Sequence, residues 1–191
     1  KTGKEILELF KSLNEQRRTI VIVTHDDYVA GYCDRQIRMF DGKIKVVISN
    51  QANATGLERA SRENIKTHIV DHKQFPDRES FDQAMIEIID PLKPDLVVLE
   101  GFMRILSNDF IDHFHNHLIN IHPSLLPKYK GLNTHQLAID NNDVIHGASV
   151  HYVSHELDSG PVVIQAEIPV LATDKAETLA SRVLMEEHKI Y

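Results

Sequence analysis

Asn120 and His122 stand two residues apart in the run Asn120-Ile121-His122-Pro123-Ser124-Leu125-Leu126-Pro127, and the turn Glu156-Leu157-Asp158-Ser159-Gly160-Pro161 follows about thirty residues later. An amide, an imidazole and a carboxylate can together carry an acyl transfer. On an extended segment, residues i and i+2 point to one face, so Asn120 and His122 can meet the same carbonyl. The Asn amide is a neutral donor for a developing oxyanion, and His is the side chain whose ordinary pKa lies nearest neutrality. A neighbouring Asp favours the imidazolium. The same residues have plainer uses: Asn before a Pro-containing loop forms turns, and a single His is more often structural than catalytic.

These groups need a scaffold, and the chain is large enough to supply one. With 191 residues, 42% of them hydrophobic, and few Gly and Pro, it can bury one substantial core. The formal net charge of -7 and the lack of a dense Lys/Arg block argue against nucleic-acid or anionic-membrane binding. Apolar runs such as Thr19 to Thr24 and Leu96 to Leu99 are too short to span a bilayer, and the start lacks the apolar segment of a signal peptide. A cytoplasmic location is the expectation. Cys33 is the only cysteine, which excludes an intrachain disulfide and a cysteine metal cluster.

The patterning predicts a helix over Lys4 to Asn14, a buried strand over Thr19 to Thr24, and a hairpin turn at Asp41-Gly42 flanked by Gln36 to Phe40 and Lys43 to Ser49. From Val46 strands alternate with helices: strands near Thr67 to Val70, Asp95 to Glu100, His117 to Ile121, Ala148 to Val153 and Val162 to Pro169. The helices fall near Gly56 to Asn64, Glu79 to Ile89, Asn133 to Asn141 and Lys175 to His188. That alternation predicts an α/β fold with a mostly parallel sheet. His113, His115 and His117 have a superficial metal-ligand spacing, but no partner completes a site, and they read as solvated residues.

Residues 46–191 resemble the folate-dependent phosphoribosylglycinamide formyltransferases of purine synthesis. The resemblance is carried by Ser49-Asn50, Gly56 to Ala60, Gly101-Phe102-Met103-Arg104-Ile105-Leu106, Asn120 to Pro127, His146-Gly147, Ser149-Val150-His151 and Glu156-Leu157-Asp158 with Gly160-Pro161. Residues 1–45 resemble instead the end of an ABC-transporter ATPase domain, through Thr24-His25-Asp26 and Cys33-Asp34-Arg35. With no Walker A loop, ABC signature or Walker B strand, ATP hydrolysis is not expected of them. The combination implies a Rossmann-like, mostly parallel sheet of the formyltransferase fold with a foreign N-terminal segment.

The formyltransferase resemblance implies transfer of a formyl group from 10-formyltetrahydrofolate to the amine of glycinamide ribonucleotide, with no metal, in a monomer or homodimer. It implies that Asn120 donates to the formyl oxygen, that protonated His122 stabilises the oxyanion and protonates the folate nitrogen, and that Asp158 supports the charged imidazole. It also implies a folate pocket from Arg78, Met103, Arg104, Ile105, Leu106, Leu118, Asn120 and the loop Ser154, His155, Glu156, Leu157 and Asp158. Leu184, Met185, Glu186 and Glu187 would lie by the nucleotide. Leu106 and Leu118 also read as core residues, and Glu187 as a solvated charge.

Three departures carry expectations of their own. The Gly-Ser-Asn turn that cradles the substrate phosphate in the family is missing, and Asp26 and Asp27 would repel a phosphate at the corresponding place, so nucleotide binding is expected to be impaired. Glu100 stands where the family has a small apolar residue and is expected to bury a charge in the folate wall. The family's last strand and helix are expected to be absent after Ile190-Tyr191. The alternatives are a formyltetrahydrofolate hydrolase, in which water replaces the amine, and a non-enzymatic ATPase-derived interaction fragment.

Overall fold

The computed structural model describes residues 42–191. The chain divides into two units after Lys43, of which the second, Ile44–Tyr191, is compact. The helix expected over Lys4 to Asn14, the strand over Thr19 to Thr24, the His25 loop and the first arm of the Asp41-Gly42 hairpin lie outside the described residues.

The second unit runs β1 (Val46–Ser49), α1 (Thr55–Arg62), β2 (Lys66–Ile69), α2 (Arg78–Ile89), β3 (Val97–Leu99), α3 (Asn108–His113), β4 (Leu118–His122), α4 (Thr134–Asp140), β5 (Ile145–Tyr152), β6 (Val162–Pro169) and α5 (Ala176–Ile190). β1 pairs in parallel with β2 across α1, and β3 in parallel with β4 across α3. This is the helix-linked parallel pairing that the alternation predicts. β5 and β6 then extend the β3–β4 sheet antiparallel, in the order β3-β4-β5-β6. Alternation of side chains does not reveal strand direction, so that reversal was not visible in the sequence.

Two packed clusters hold the elements. α2 places Phe81, Met85 and Ile89 at i, i+4 and i+8 and buries that face with Ile86 against Leu106, Phe110, Ile111, Phe114 and Leu118. Each such side chain contributes about 1.5–3 kcal/mol on leaving water. The helix starts at Asp77, whose carboxylate accepts the Ser80 N–H at 2.8 Å and so satisfies one of the free donors of the first turn. Beneath it, buried Asp82 accepts the Ser107 N–H at 2.6 Å, tying α2 to the residue that caps α3. α3 itself escapes the sequence reading, being only six residues long.

α5 covers the antiparallel half. Its Leu179 and Val183 are fully buried against Ala138, Ala148 and Ile168. At its far end the Tyr191 hydroxyl donates to the Leu99 carbonyl at 2.6 Å, bringing the end of α5 to the end of β3. No helix among the described residues is long and apolar enough to cross a membrane.

Candidate active site

β4 carries Asn120 and His122 on one face, and β5 lies beside it with His151 opposite Asn120 and Ser149 opposite His122. The loop after His122 is pinned by fully satisfied buried hydroxyls. Ser149 Oγ donates to the Ser124 carbonyl at 2.6 Å and accepts from the Leu126 N–H at 3.0 Å and from Gln165 Nε2 at 2.7 Å. Ser124 Oγ donates to the Lys128 carbonyl and Thr134 Oγ1 to the Pro123 carbonyl, both at 2.6 Å. These bonds deliver the Tyr129 carbonyl to within 2.8 Å of His122 Nε2.

A carbonyl can only accept, so Nε2 of His122 carries a hydrogen. The ring's other nitrogen, Nδ1, lies 3.5 Å from Asp158 Oδ2. In the charged ring that nitrogen also holds a proton, aimed into the site beside a carboxylate. Asp158 sits in the left-handed region (φ +48°), with its side chain only 9% exposed. Its Oδ2 accepts the Gly131 N–H at 2.8 Å, and its Oδ1 is 3.6 Å from Nε2 of a second buried imidazole, His151. Burial pushes the Asp158 carboxyl up, but the nearby His151 ring, the Gly131 N–H and the charge of His122 outweigh it and hold the carboxyl below its ordinary range. Lys130 adds a tie between the two loops, 3.1 Å from Glu156 and hydrogen-bonded to Ser159.

Of Asn120, His122 and Asp158, read from the sequence as one trio, the last two face each other directly, and Asn120 neighbours Asp158 by way of His151, whose Nε2 is 3.3 Å from Asn120 Nδ2. The sequence marks His151 only as part of the motif Ser149-Val150-His151. The signal that could have found it is the period-two alternation Gly147, Ser149, His151 on a strand, but its place opposite Asn120 depends on the register of pairing.

The remaining sequence-predicted residues divide by burial. Met103 and Ile105 are 74% and 63% exposed, whereas Leu106 and Leu118 belong to the core cluster. Arg104 stacks over the Phe81 ring at 5.3 Å and has a buried Nε with no partner among the described residues. In the Ser154–Asp158 loop, Ser154 Oγ donates to the Glu156 carbonyl, His155 pairs with Asp112 at 2.8 Å, and Leu157 is exposed. Arg78 opens α2 on the surface, 3.1 Å from Glu79. Leu184 and Met185 are exposed on α5, and Glu186 pairs with Lys189 at 2.7 Å. Burial, then the charge of Glu100, push the Glu187 carboxyl up.

Glu100 itself is exposed, which corrects the expectation that it buries a charge. It follows the last residue of β3 and stands free of the packed strand. Its charge is felt instead by Glu187 and Tyr191. His113 and His117 face a shallow surface recess with Asp90, Lys93 and Pro94, and are engaged by Asp90 and by the Asp95 carbonyl.

Comparison with known proteins gives this arrangement its relatives. The phosphoribosylglycinamide formyltransferase of Escherichia coli (strain K12) is 51% identical over 150 residues, covering 78% of this chain and 71% of the relative. The human trifunctional purine biosynthetic protein adenosine-3 is 40% identical over 149 residues, of which this chain spans only 15%. The structure of the phosphoribosylglycinamide formyltransferase from Coxiella burnetii in complex with CHES superposes with a TM-score of 0.74 at 49% identity, over 78% of this chain and 70% of that one. Glycinamide ribonucleotide transformylase 1 from Symbiobacterium toebii gives 0.76 at 41% identity, over 78% and 71%. These relatives are named for formyl transfer or purine biosynthesis, and none as an ABC-transporter ATPase. The formyl transferase family pattern matches residues 17–191, reaching back across Thr19 to Thr24 into the stretch for which the sequence suggests an ATPase fragment. On that match and on the E. coli relative, the chain belongs to the formyl transferase family.

Proposed function

We infer that the chain transfers a formyl group from 10-formyltetrahydrofolate to the primary amine of glycinamide ribonucleotide, a step of purine biosynthesis. The observation that carries the reading is the pairing of a tautomer-fixed His122 with Asn120 on one strand face, in a chain 51% identical to a phosphoribosylglycinamide formyltransferase. Attack of the amine on the formyl carbon builds a tetrahedral oxyanion. Asn120 Nδ2–H and His122 Nδ1–H are the donors available to it. As the carbon–nitrogen bond to the folate breaks, the Nδ1 proton passes to the departing nitrogen, and the attacking amine's proton goes to the Nδ1 lone pair so exposed, which restores the charged ring. Asp158, ionised across the neutral range and 3.5 Å from Nδ1, places a negative charge beside the ring that donates in this step.

We propose that exposed Met103, Ile105 and Leu157, with Arg104, form the folate wall, that Leu106 and Leu118 support it from the core, and that the Ser154–Asp158 loop and Arg78 complete it. Leu184, Met185, Glu186 and Glu187 would face the nucleotide. The boundary between residues 43 and 44 supports reading residues 46–191 as the formyltransferase domain. The family match from residue 17 counts against reading residues 1–45 as an ATPase remnant throughout. A cytoplasmic setting and a monomer or homodimer complete the proposal; the lone cysteine fits a reducing compartment.

The test is formyl transfer with and without glycinamide ribonucleotide, with His122→Ala alongside. Nucleotide-dependent transfer lost in His122→Ala is the expected result. Formate release without nucleotide would replace the transferase by a hydrolase. Turnover that survives His122→Ala would overturn the assignment of the histidine.

A further inference from the structure

We propose that His151 is a positioning residue for the transfer reaction: as a neutral ring protonated on Nδ1, it accepts one Asn120 N–H and thereby fixes which end of that amide faces the site. The inference rests on the formyl-transfer reading above. His151 lies directly across the β4/β5 ladder from Asn120 and is 2% exposed. Its Nδ1 is 2.8 Å from the Tyr152 carbonyl, which can only accept, so Nδ1 carries the hydrogen. In the neutral ring Nε2 is then a lone pair. Two groups face it, Asn120 Nδ2 at 3.3 Å and Asp158 Oδ1 at 3.6 Å. An ionised carboxylate has nothing to donate, so the amide must turn its nitrogen toward the ring. One N–H is used there, and the second is left for the oxyanion.

The charged form of His151 reverses the arrangement. Its Nε2–H would donate to Asp158 Oδ1, and the amide nitrogen of Asn120 would meet a donor instead of an acceptor. Asn120 would then present its oxygen, which repels an oxyanion. The titratable groups facing His151 are Asp158 and, across that carboxylate, His122. An amide left to choose its own orientation offers nitrogen or oxygen with little preference, so His151 removes one of two competing states before the substrate arrives.

The experiment is a double-mutant cycle in the full chain. His151→Phe keeps a ring without an acceptor, and His151→Gln keeps an acceptor near the place of Nε2. Each is made alone and with Asn120→Ala, beside His122→Ala. His151→Phe should lower kcat about tenfold or more with KM for the folate nearly unchanged, His151→Gln should recover most of the loss, and His151→Phe should add almost nothing to Asn120→Ala. Equal losses in Phe and Gln, or a full additive loss over Asn120→Ala, would overturn the proposal. Activity indifferent to His122→Ala would instead remove the transfer reading. A measurement independent of turnover decides the tautomer: imidazole nitrogen NMR of His151 should show hydrogen on Nδ1 and a lone pair on Nε2. A ring charged at neutral pH, or an Asn120 amide signal unmoved by His151→Phe, would reject it.

Discussion

Asp158 Oδ2 holds the Gly131 N–H at 2.8 Å while standing 3.5 Å from His122 Nδ1, longer than a formed hydrogen bond. The carboxylate is therefore fixed by the backbone and acts on the ring chiefly through its charge, leaving Nδ1 free for the substrate. Asp158→Asn keeps the shape and removes that charge. Turnover should fall by about 10²–10⁴. Because the folded carboxyl lies below its ordinary value, its stabilising contribution is present above about pH 3.9 and is lost as the pH falls through the folded value. Acid unfolding followed by circular dichroism should lose that component in the variant; an unchanged acid midpoint would contradict it.

Asn120→Ala removes a single neutral donor from a strand whose pairing is held by backbone groups. Loss of one oxyanion donor costs about 3 kcal/mol of transition-state stabilisation, a drop in kcat of about 10²–10³. Thermal unfolding should shift little, since the side chain is half-buried and its partner His151 retains its bond to Tyr152. A normal kcat in the folded variant would take Asn120 out of the mechanism.

Helices such as α2 and α5 were legible because apolar spacing and burial coincide, as at Phe81, Met85 and Ile89. α3 was not, because six residues do not complete a periodic face, and the alternating His113, His115 and His117 at its end and beyond fit helix or strand equally. Asn120, His122 and Asp158 could be picked out by residue type and by family resemblance. The groups that set their hydrogens, the carbonyls of Tyr129 and Tyr152, carry no side-chain signature. Where a carbonyl points depends on the turn that delivers it, and the turn here is set by distant bonds from Ser124, Ser149 and Gln165. The same limit hid the facing pair Asn120 and His151, since register is a property of two strands.

His146 is 1% exposed, with Nε2 3.1 Å from His135 Nδ1, and burial followed by the neighbouring His135 pushes its pKa down to about 4. In the unfolded chain it titrates near 6.5. The unfolded chain thus binds the extra proton first. The stabilising contribution of the neutral ring is fully present above about pH 6.5 and declines as the pH falls toward about 4, by up to about 3 kcal/mol in all. Urea midpoints between pH 7.5 and 4.5 should fall, and His146→Gln should flatten part of that slope. A slope identical in the variant would reject His146 as its source.

Gly160 packs its α-carbon against the chain so closely that a β-carbon there would lie 1.8 Å from the Tyr152 carbonyl oxygen. That oxygen is the acceptor for His151 Nδ1–H. Gly160→Ala must move the carbonyl, and a backbone contact cannot yield as a flexible side chain does. We expect a loss of several kcal/mol in stability, of the order found for overpacked sites, and a fall in kcat in the fraction that remains folded. A thermal midpoint within about 1 °C of the parent would mean that the 154–161 loop shifts freely, and with it the geometry around Asp158.

Glu187 lies on α5 with its carboxyl pushed up, first by burial and then by the charge of Glu100, while His188 opposes the rise. Glu100→Ala removes the second cause and leaves the first. The Glu187 carboxyl should then titrate lower, read from its side-chain carbon signal by NMR. In the parent the folded carboxyl keeps its proton to higher pH than the unfolded one, so this group's contribution to stability falls as the pH rises from about 4.3 through the folded value. Without Glu100 that decline becomes smaller. If Glu187 faces the nucleotide as proposed, an ionised carboxylate is also the better acceptor for a hydroxyl, and the KM for glycinamide ribonucleotide should fall several-fold while the KM for the folate does not. An unmoved Glu187 titration would assign its shift to burial alone, and a drop in both KM values would place the effect of Glu100 at the folate wall.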